Sequence, residues 1–553
     1  MSDKSERLFQ AMNDIGEDKI DEAAEAVTKK KLHWRRWTAL AASLALVVGA
    51  GGYFLSRTMG GGAASGGAGG SGSDGASTFM AYAGPVFPLT LKEENADITA
   101  ERNITLDFQP WVRVWWSNEE EAAARQDLTE AERQEVLKDY NEWFPEGGYW
   151  KSSTDILVTD SYVLTNAADV DQAVTVLYPF VSSLRDLEKD TPVLTADGEK
   201  LETNLHAGGY SGGFMRVVGG DLVTEESAGS LNLDQLNSWE EYKALLLDGT
   251  YQAKALGDYP DLSGIPAVVY QFTDPWGPEA DEDAGIPNPS IQVTFEMDYD
   301  RTTVLSYGFH SMSRDEENHF MGQGFSIREE WEKNYGEPYY LIVLGDDVEN
   351  LAFQGYVTGG WNTQETVEAG VTVRRYETDL DAVLREVTQM MYRDYRENQE
   401  TGGGADFEMY YGLLCEYLTS YGLLSEQPAQ RYDTGWLWNN DVASVDRVFY
   451  LEAEVNVPAG QSVKLTAEMT KEPSYDFYCA HTENQGVCGY DLVTKLGSNL
   501  ACTAQTATLE DRGQIEIVRQ NFGFDLENGI KTVALDPDQE HYYLEVNKLK
   551  ESE

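Results

Sequence analysis

The stretch Trp37–Leu55, WTALAASLALVVGAGGYFL, constrains this chain most, because its nineteen consecutive residues carry no charge. As a helix rising about 1.5 Å per residue it is roughly 28 Å long, close to the hydrocarbon thickness of a bilayer. Lys29, Lys30, Lys31, Arg35 and Arg36 precede it and only Arg57 closely follows, so the positive-inside bias predicts a cytoplasmic N-terminus. Arg35, Arg36, Trp37 and Tyr53 are the expected membrane anchors, with lipid as their partner. Residues 56–553 are then extracytoplasmic. A cleaved signal peptide, with a small-residue site at Val48-Gly49-Ala50, is the competing reading.

The first 36 residues hold eight basic and eight acidic groups, so the whole net charge of −54 belongs to residues 37–553. A field of that sign repels nucleic acid and acidic polymers and favours cations or basic ligands. No nucleic-acid partner is expected. With 41% hydrophobic and 11% aromatic residues, 553 positions suffice for several cores.

Periodicity predicts an α+β, β-rich fold: one N-terminal transmembrane helix, then β-sandwich-like domains with helical insertions. Residues 1–36 form an amphipathic tail, 37–55 the transmembrane helix and 56–78 a Gly/Ser linker. Residues 79–220 read as a β-sandwich with a helical insertion, because Ile104–Phe108, Val112–Trp116, Ser161–Thr165 and Ala173–Tyr178 alternate as half-buried strands do. Ser117-x-x-Glu120 is a capping box for one helix running to about Trp143. Asp197-Gly198 marks a hairpin turn. Residues 221–445 mix strands with helices near Ser238–Leu247, Asp379–Arg396 and Asp406–Tyr421, which makes an α+β unit. Residues 446–553 read as a second β-sandwich-like domain, with strands at Val448–Asn456, Val463–Met469, Ile515–Gln520 and Tyr542–Val546.

Chemistry is sparsely signalled. Gly209-Tyr210-Ser211-Gly212-Gly213 fits G-x-S-x-G, but a strand rather than a helix follows it, so a glycine-rich turn is the better reading. Ninety-five acidic residues make chance carboxylate pairs inevitable. Asp274–Asp283 lacks the oxygen spacing of a calcium loop. No catalytic residue, metal site or cofactor is expected. Cys479 and Cys488 flank the polar turn Glu483–Gly486 and can face each other across a hairpin as a disulfide, with unpaired thiols as the alternative. Trp276, Trp361, Trp436 and Trp438 lie in loop-like settings where an indole can stack on a sugar ring or complete a core.

Leu8–Val27 (LFQAMNDIGEDKIDEAAEAV), followed by a basic cluster, one apolar stretch and a β-rich remainder, resembles the single-pass membrane proteins of clostridial Firmicutes that look like anti-sigma factors. Asp160–Asn166 (DSYVLTN), Val176–Phe180 (VLYPF), Tyr340–Asp346 (YLIVLGD), Gln520–Leu526 (QNFGFDL) and Glu540–Val546 (EHYYLEV) resemble uncharacterised ectodomains of such proteins. The resemblance implies a non-enzymatic Gram-positive sensor or regulator whose tail binds an extracytoplasmic-function sigma factor through Phe9, Met12, Ile15 and Ile20, while the exterior meets an unknown ligand. The tail lacks the His-x3-Cys-x2-Cys motif of the zinc-binding anti-sigma domain. The alternative is a cell-surface carbohydrate-binding or adhesion protein with no signalling role.

Overall fold

The computed structural model describes residues 84–549, apart from 126–128, 211–249, 280–288, 328–337, 358–364, 398, 400–403, 421–422, 425–436, 438–441, 444–445, 477–483 and 537. The first described segment holds β1 (Thr90–Leu91), β2 (Ile98–Asp107), β3 (Val114–Ser117), α1 (Asn118–Ala124), α2 (Glu130–Trp143), β4 (Gly148–Lys151), β5 (Ile156–Asn166), β6 (Gln172–Ser182), α3 (Leu187–Asp190), β7 (Val193–Ala196), β8 (Glu199–Lys200) and β9 (Asn204–Tyr210). A central segment comes next, with α4 (Thr250–Ala255), β10 (Pro266–Trp276), β11 (Ser290–Glu296), β12 (Thr302–Tyr307), β13 (Ser311–Asp315), β14 (Phe320–Ser326), β15 (Tyr339–Gly345), β16 (Glu349–Tyr356), β17 (Thr366–Val367), β18 (Gly370–Asp379), α5 (Leu380–Glu397) and α6 (Phe407–Ser420). The last carries β19 (Arg447–Val457), β20 (Ser462–Lys471), β21 (Tyr475–Asp476), β22 (Cys488–Val493), β23 (Ala501–Glu510), β24 (Ile515–Gln520), β25 (Thr532–Ala534) and β26 (His541–Lys548).

The first and last segments interleave. A seven-stranded sheet runs β25-β23-β2-β5-β20-β7-β8, and a four-stranded sheet runs β1-β6-β19-β9, so both draw strands from each end of the described chain. Alternation along β2 and β5 points Ile98, Ala100, Ile104, Leu106, Ile156, Val158, Tyr162 and Leu164 to one buried face. One end of that face packs on Val176, Tyr178, Phe180, Phe449 and Leu451 of the four-stranded sheet. The other end packs on Tyr490, Leu492, Tyr542, Leu544 and Val546 of a second small sheet, β21-β22-β26-β24. The Asp197-Gly198 turn joins β7 to β8 with positive φ at both residues, as a two-residue hairpin requires.

Arg102 and Asp160 lie where these two cores meet, both fully buried. Their pairing is bidentate, with Nε to Oδ1 and Nη2 to Oδ2 both at 2.8 Å. Tyr162 and Tyr178 donate their hydroxyls to the same carboxylate, while Arg102 donates to the carbonyls of Val493 and Phe87. Burial opposes the guanidinium charge, but Asp160 holds its pKa above the ordinary value, and burial drives both tyrosines well upward.

The central segment is layered differently. In sheet β12-β15-β10-β18 the inner strand β15 is buried on both faces, which is why it reads YYLIVLG without alternation, while the edge strand β18 exposes Arg374, Arg375 and Glu377. Tyr270, Phe272, Tyr339, Leu341 and Val343 face Ile291, Val293, Phe295 and Phe325 of the sheet β13-β14-β11-β16-β17. Ala267, Val269, Tyr340 and Ile342 share a core with α5 and α6.

The expected single-pass membrane helix is corrected here. Among the described residues no helix is long and apolar enough to cross a membrane. The longest, α5, is amphipathic and carries Asp381, Arg385, Glu386, Arg393, Asp394, Arg396 and Glu397. The nearly all-buried α6 has 14 residues, roughly 21 Å of rise. Trp37–Leu55 lies outside the described residues, as do the anchors Arg35, Arg36, Trp37 and Tyr53. The structure is a β-rich assembly of sheets and packed helices. The cytoplasmic N-terminus and the extracytoplasmic placing of residues 56–553 have no described element to rest on.

Candidate binding site on an aromatic ribbon

Between β2 and β5 the chain makes an excursion that holds Trp115, Trp143 and Trp150, three of the six exposed large aromatic side chains among the described residues. Two capping boxes build it: Ser117 accepts from the Glu120 amide at the start of α1, and Thr129 accepts from the Glu132 amide at the start of α2. The single helix expected to Trp143 is therefore two. Buried Asn118 fastens them, its side-chain amide donating to the carbonyls of Tyr140 and Phe144.

The two strands β3 and β4 form a ribbon in which Trp115 pairs directly with Trp150. Their rings meet edge to face, 5.4 Å between centroids at 73°. Arg113 stacks its guanidinium over Trp150 at 5.2 Å. Trp115 lies across Gly148, where an added Cβ would come within 2.9 Å of its indole, so glycine is what lets the ring lie down. Trp150 is 54% exposed and Trp115 38% exposed, which leaves an indole corner beside a cation open to solvent.

The opposite face is closed. Lys151 sits over the rings of Trp116 and Tyr149 and pairs with Glu121 at 2.7 Å, and Tyr149 donates to the same carboxylate. Burial, then the charge of Glu121, raises the Tyr149 pKa. Phe144 stacks on Tyr149 at 4.5 Å. The ribbon is thus propped from behind by ring, cation and carboxylate contacts, although among the described residues the buried Trp116 Nε1 meets no acceptor there.

The residues expected to act fall elsewhere. Phe9, Met12, Ile15 and Ile20 lie outside the described residues, as do Cys479, Trp361, Trp436 and Trp438. Cys488 is a buried free thiol whose pKa burial pushes up, and Cys415 and Cys502 are also free. Trp276 is 54% exposed, but its indole lies over Gly370, and among the described residues it stacks on no second ring. Gly209 and Tyr210 of the G-x-S-x-G stretch end β9, and Ser211, Gly212 and Gly213 lie outside the described residues. The ribbon was readable only as aromatic density, in WVRVWWS and GGYWK, since alternation does not say which face meets solvent.

A second titratable feature sits in a narrow cleft lined by Pro85, Phe87, Pro179, Asp190, Lys471 and Glu472. Burial and the neighbouring Glu472 push the Asp190 carboxyl up to about 7, against the pull of Lys189 and the Ser182 hydroxyl.

No family model matches the chain, and no curated protein or solved structure matches it significantly.

Proposed function

We propose that this chain is a non-catalytic recognition protein that binds neutral oligosaccharides on the Trp115–Trp150 corner. The observation that supports this reading is the pair of solvent-facing indoles held in fixed geometry beside Arg113. The C–H face of a pyranose ring stacks on an indole, and a neighbouring guanidinium donates to ring hydroxyls. This is the mixture of apolar surface and few polar groups that small-ligand sites use. The net charge of −54 disfavours acidic glycans at long range. The sigma-factor regulator stands second, because its contact residues lie outside the described structure.

The test is titration of the full chain with soluble glucose, mannose and N-acetylglucosamine oligomers, followed by tryptophan fluorescence and calorimetry. Binding to at least one series should weaken about tenfold or more in Trp150→Ala and in Trp115→Ala, as for an anchor residue. Trp276→Ala should leave it unchanged. Absence of binding, or binding that ignores both ribbon tryptophans, removes the proposal.

A further inference from the structure

The seven-stranded sheet has a second face. Along β2, β5, β20 and β23 every residue that alternates with the core positions points away from both cores, and Leu157, Val163 and Val193 on that side are 40%, 37% and 42% exposed. The rows across the sheet are hydroxyl-rich. One runs Thr508, Thr105, Thr159, Glu468, Val193, and the next runs Thr506, Asn103, Ser161, Thr466, Thr195. A row further along runs Glu101, Val163, Lys464, with opposite charges one strand to either side of β5.

We propose that this face is covered by a second copy of the chain, packed sheet on sheet about a two-fold axis parallel to β5. Such an axis exchanges positions on β2 with those on β20. It therefore sets Glu101 of each copy against Lys464 of the other and Asn103 against Thr466, so the surface is its own complement. Charge selects this occupant. A copy bearing −54 repels its twin in general, but this axis sets Glu101 against Lys464 and the other acid of these rows, Glu468, against Thr105, so no like charges are opposed in them. The extent also fits: four strands of 10 or 11 residues cover roughly 33 Å by 19 Å, and with the short edge strands the face is about 700 Å², near the ~800 Å² per partner of a stable interface.

Sedimentation velocity of the full chain from about 1 to 100 μM, a range that brackets micromolar association, tests this. A dimer is expected. Asn103→Lys and Lys464→Glu should each weaken it about tenfold or more, as breaking one of few charge or shape contacts does. The exchange Glu101→Lys with Lys464→Glu should restore it, and Trp150→Ala should not matter. Circular dichroism melts confirm that each variant is folded. A chain that stays monomeric overturns the proposal, and so does a dimer indifferent to the single substitutions or one the double exchange fails to rescue. Loss of the dimer in Trp150→Ala alone assigns association to the ribbon instead.

Discussion

The two sandwiches in this molecule are assembled on opposite plans. The central one draws all nine of its strands from residues 266–379, and every pairing in it is antiparallel and stays inside that segment, the widest joining Pro266 to Asp379. The outer one is composite: β2 lies parallel to β23, some 400 residues away, and β19 fills the space between β6 and β9. Local pairing costs little loop entropy, whereas the composite sheets gain nothing until the chain's far end arrives. The difference shows in what each core contains. The central sandwich is sealed by aromatics such as Phe272, Phe309, Phe325 and Tyr339, while the seam of the composite one is closed by a buried ion pair that reaches strands from both ends.

Removing that pair should expose the contrast most sharply. Arg102→Ala leaves Asp160 buried and unpaired, and should cost about 3–5 kcal/mol in urea unfolding. Hydrogen exchange should accelerate in residues 86–107 and 488–510 while amides of Ile291–Phe295 keep their protection. Uniform loss of protection would mean the two sandwiches unfold as one. Leu341→Ala, which opens a cavity between the central sheets, should cost about 3 kcal/mol and reverse the pattern, loosening 290–356 first.

A subtler lever is pH. The folded Asp190 keeps its proton up to about 7, whereas the unfolded carboxyl releases it near its ordinary 3.8. The folded state is therefore favoured at low pH, and that contribution disappears as pH climbs from about 4 through about 7. Asp190→Asn should flatten this part of the stability–pH curve. An unchanged slope would place the titration elsewhere. The smallest effect should come from the ribbon, where Trp150→Ala should alter unfolding free energy by under about 0.5 kcal/mol, since its ring faces solvent on one side.

Much of the local structure was legible. The helices expected near Asp379–Arg396 and Asp406–Tyr421 begin and end within a residue or so of α5 and α6, and β24 matches Ile515–Gln520. What failed was contrast and distance. β23, with ACTAQTATLE, alternates small and hydroxyl residues and gives no apolar stripe. β14, with FMGQGFS, is interrupted by glycines, and β16 exposes Glu349, Asn350 and Phe353. Nothing in a periodic pattern says that β19 pairs with β6 or β20 with β5, so the expected domains 79–220 and 446–553 hold strands that share sheets. The second capping box, at Thr129, was the one local signal overlooked inside the ribbon excursion.

The segment around Val86 runs parallel to Leu492, held by hydrogen bonds on both sides, and its neighbour Phe87 offers a carbonyl to Arg102. A tether pulling on anything upstream of residue 84 would load those bonds lengthwise and together, as in a lap joint rather than a zipper. Tension would thus reach the strands of β22 before the central sandwich felt any, which makes the chain's front end a handle on its back end.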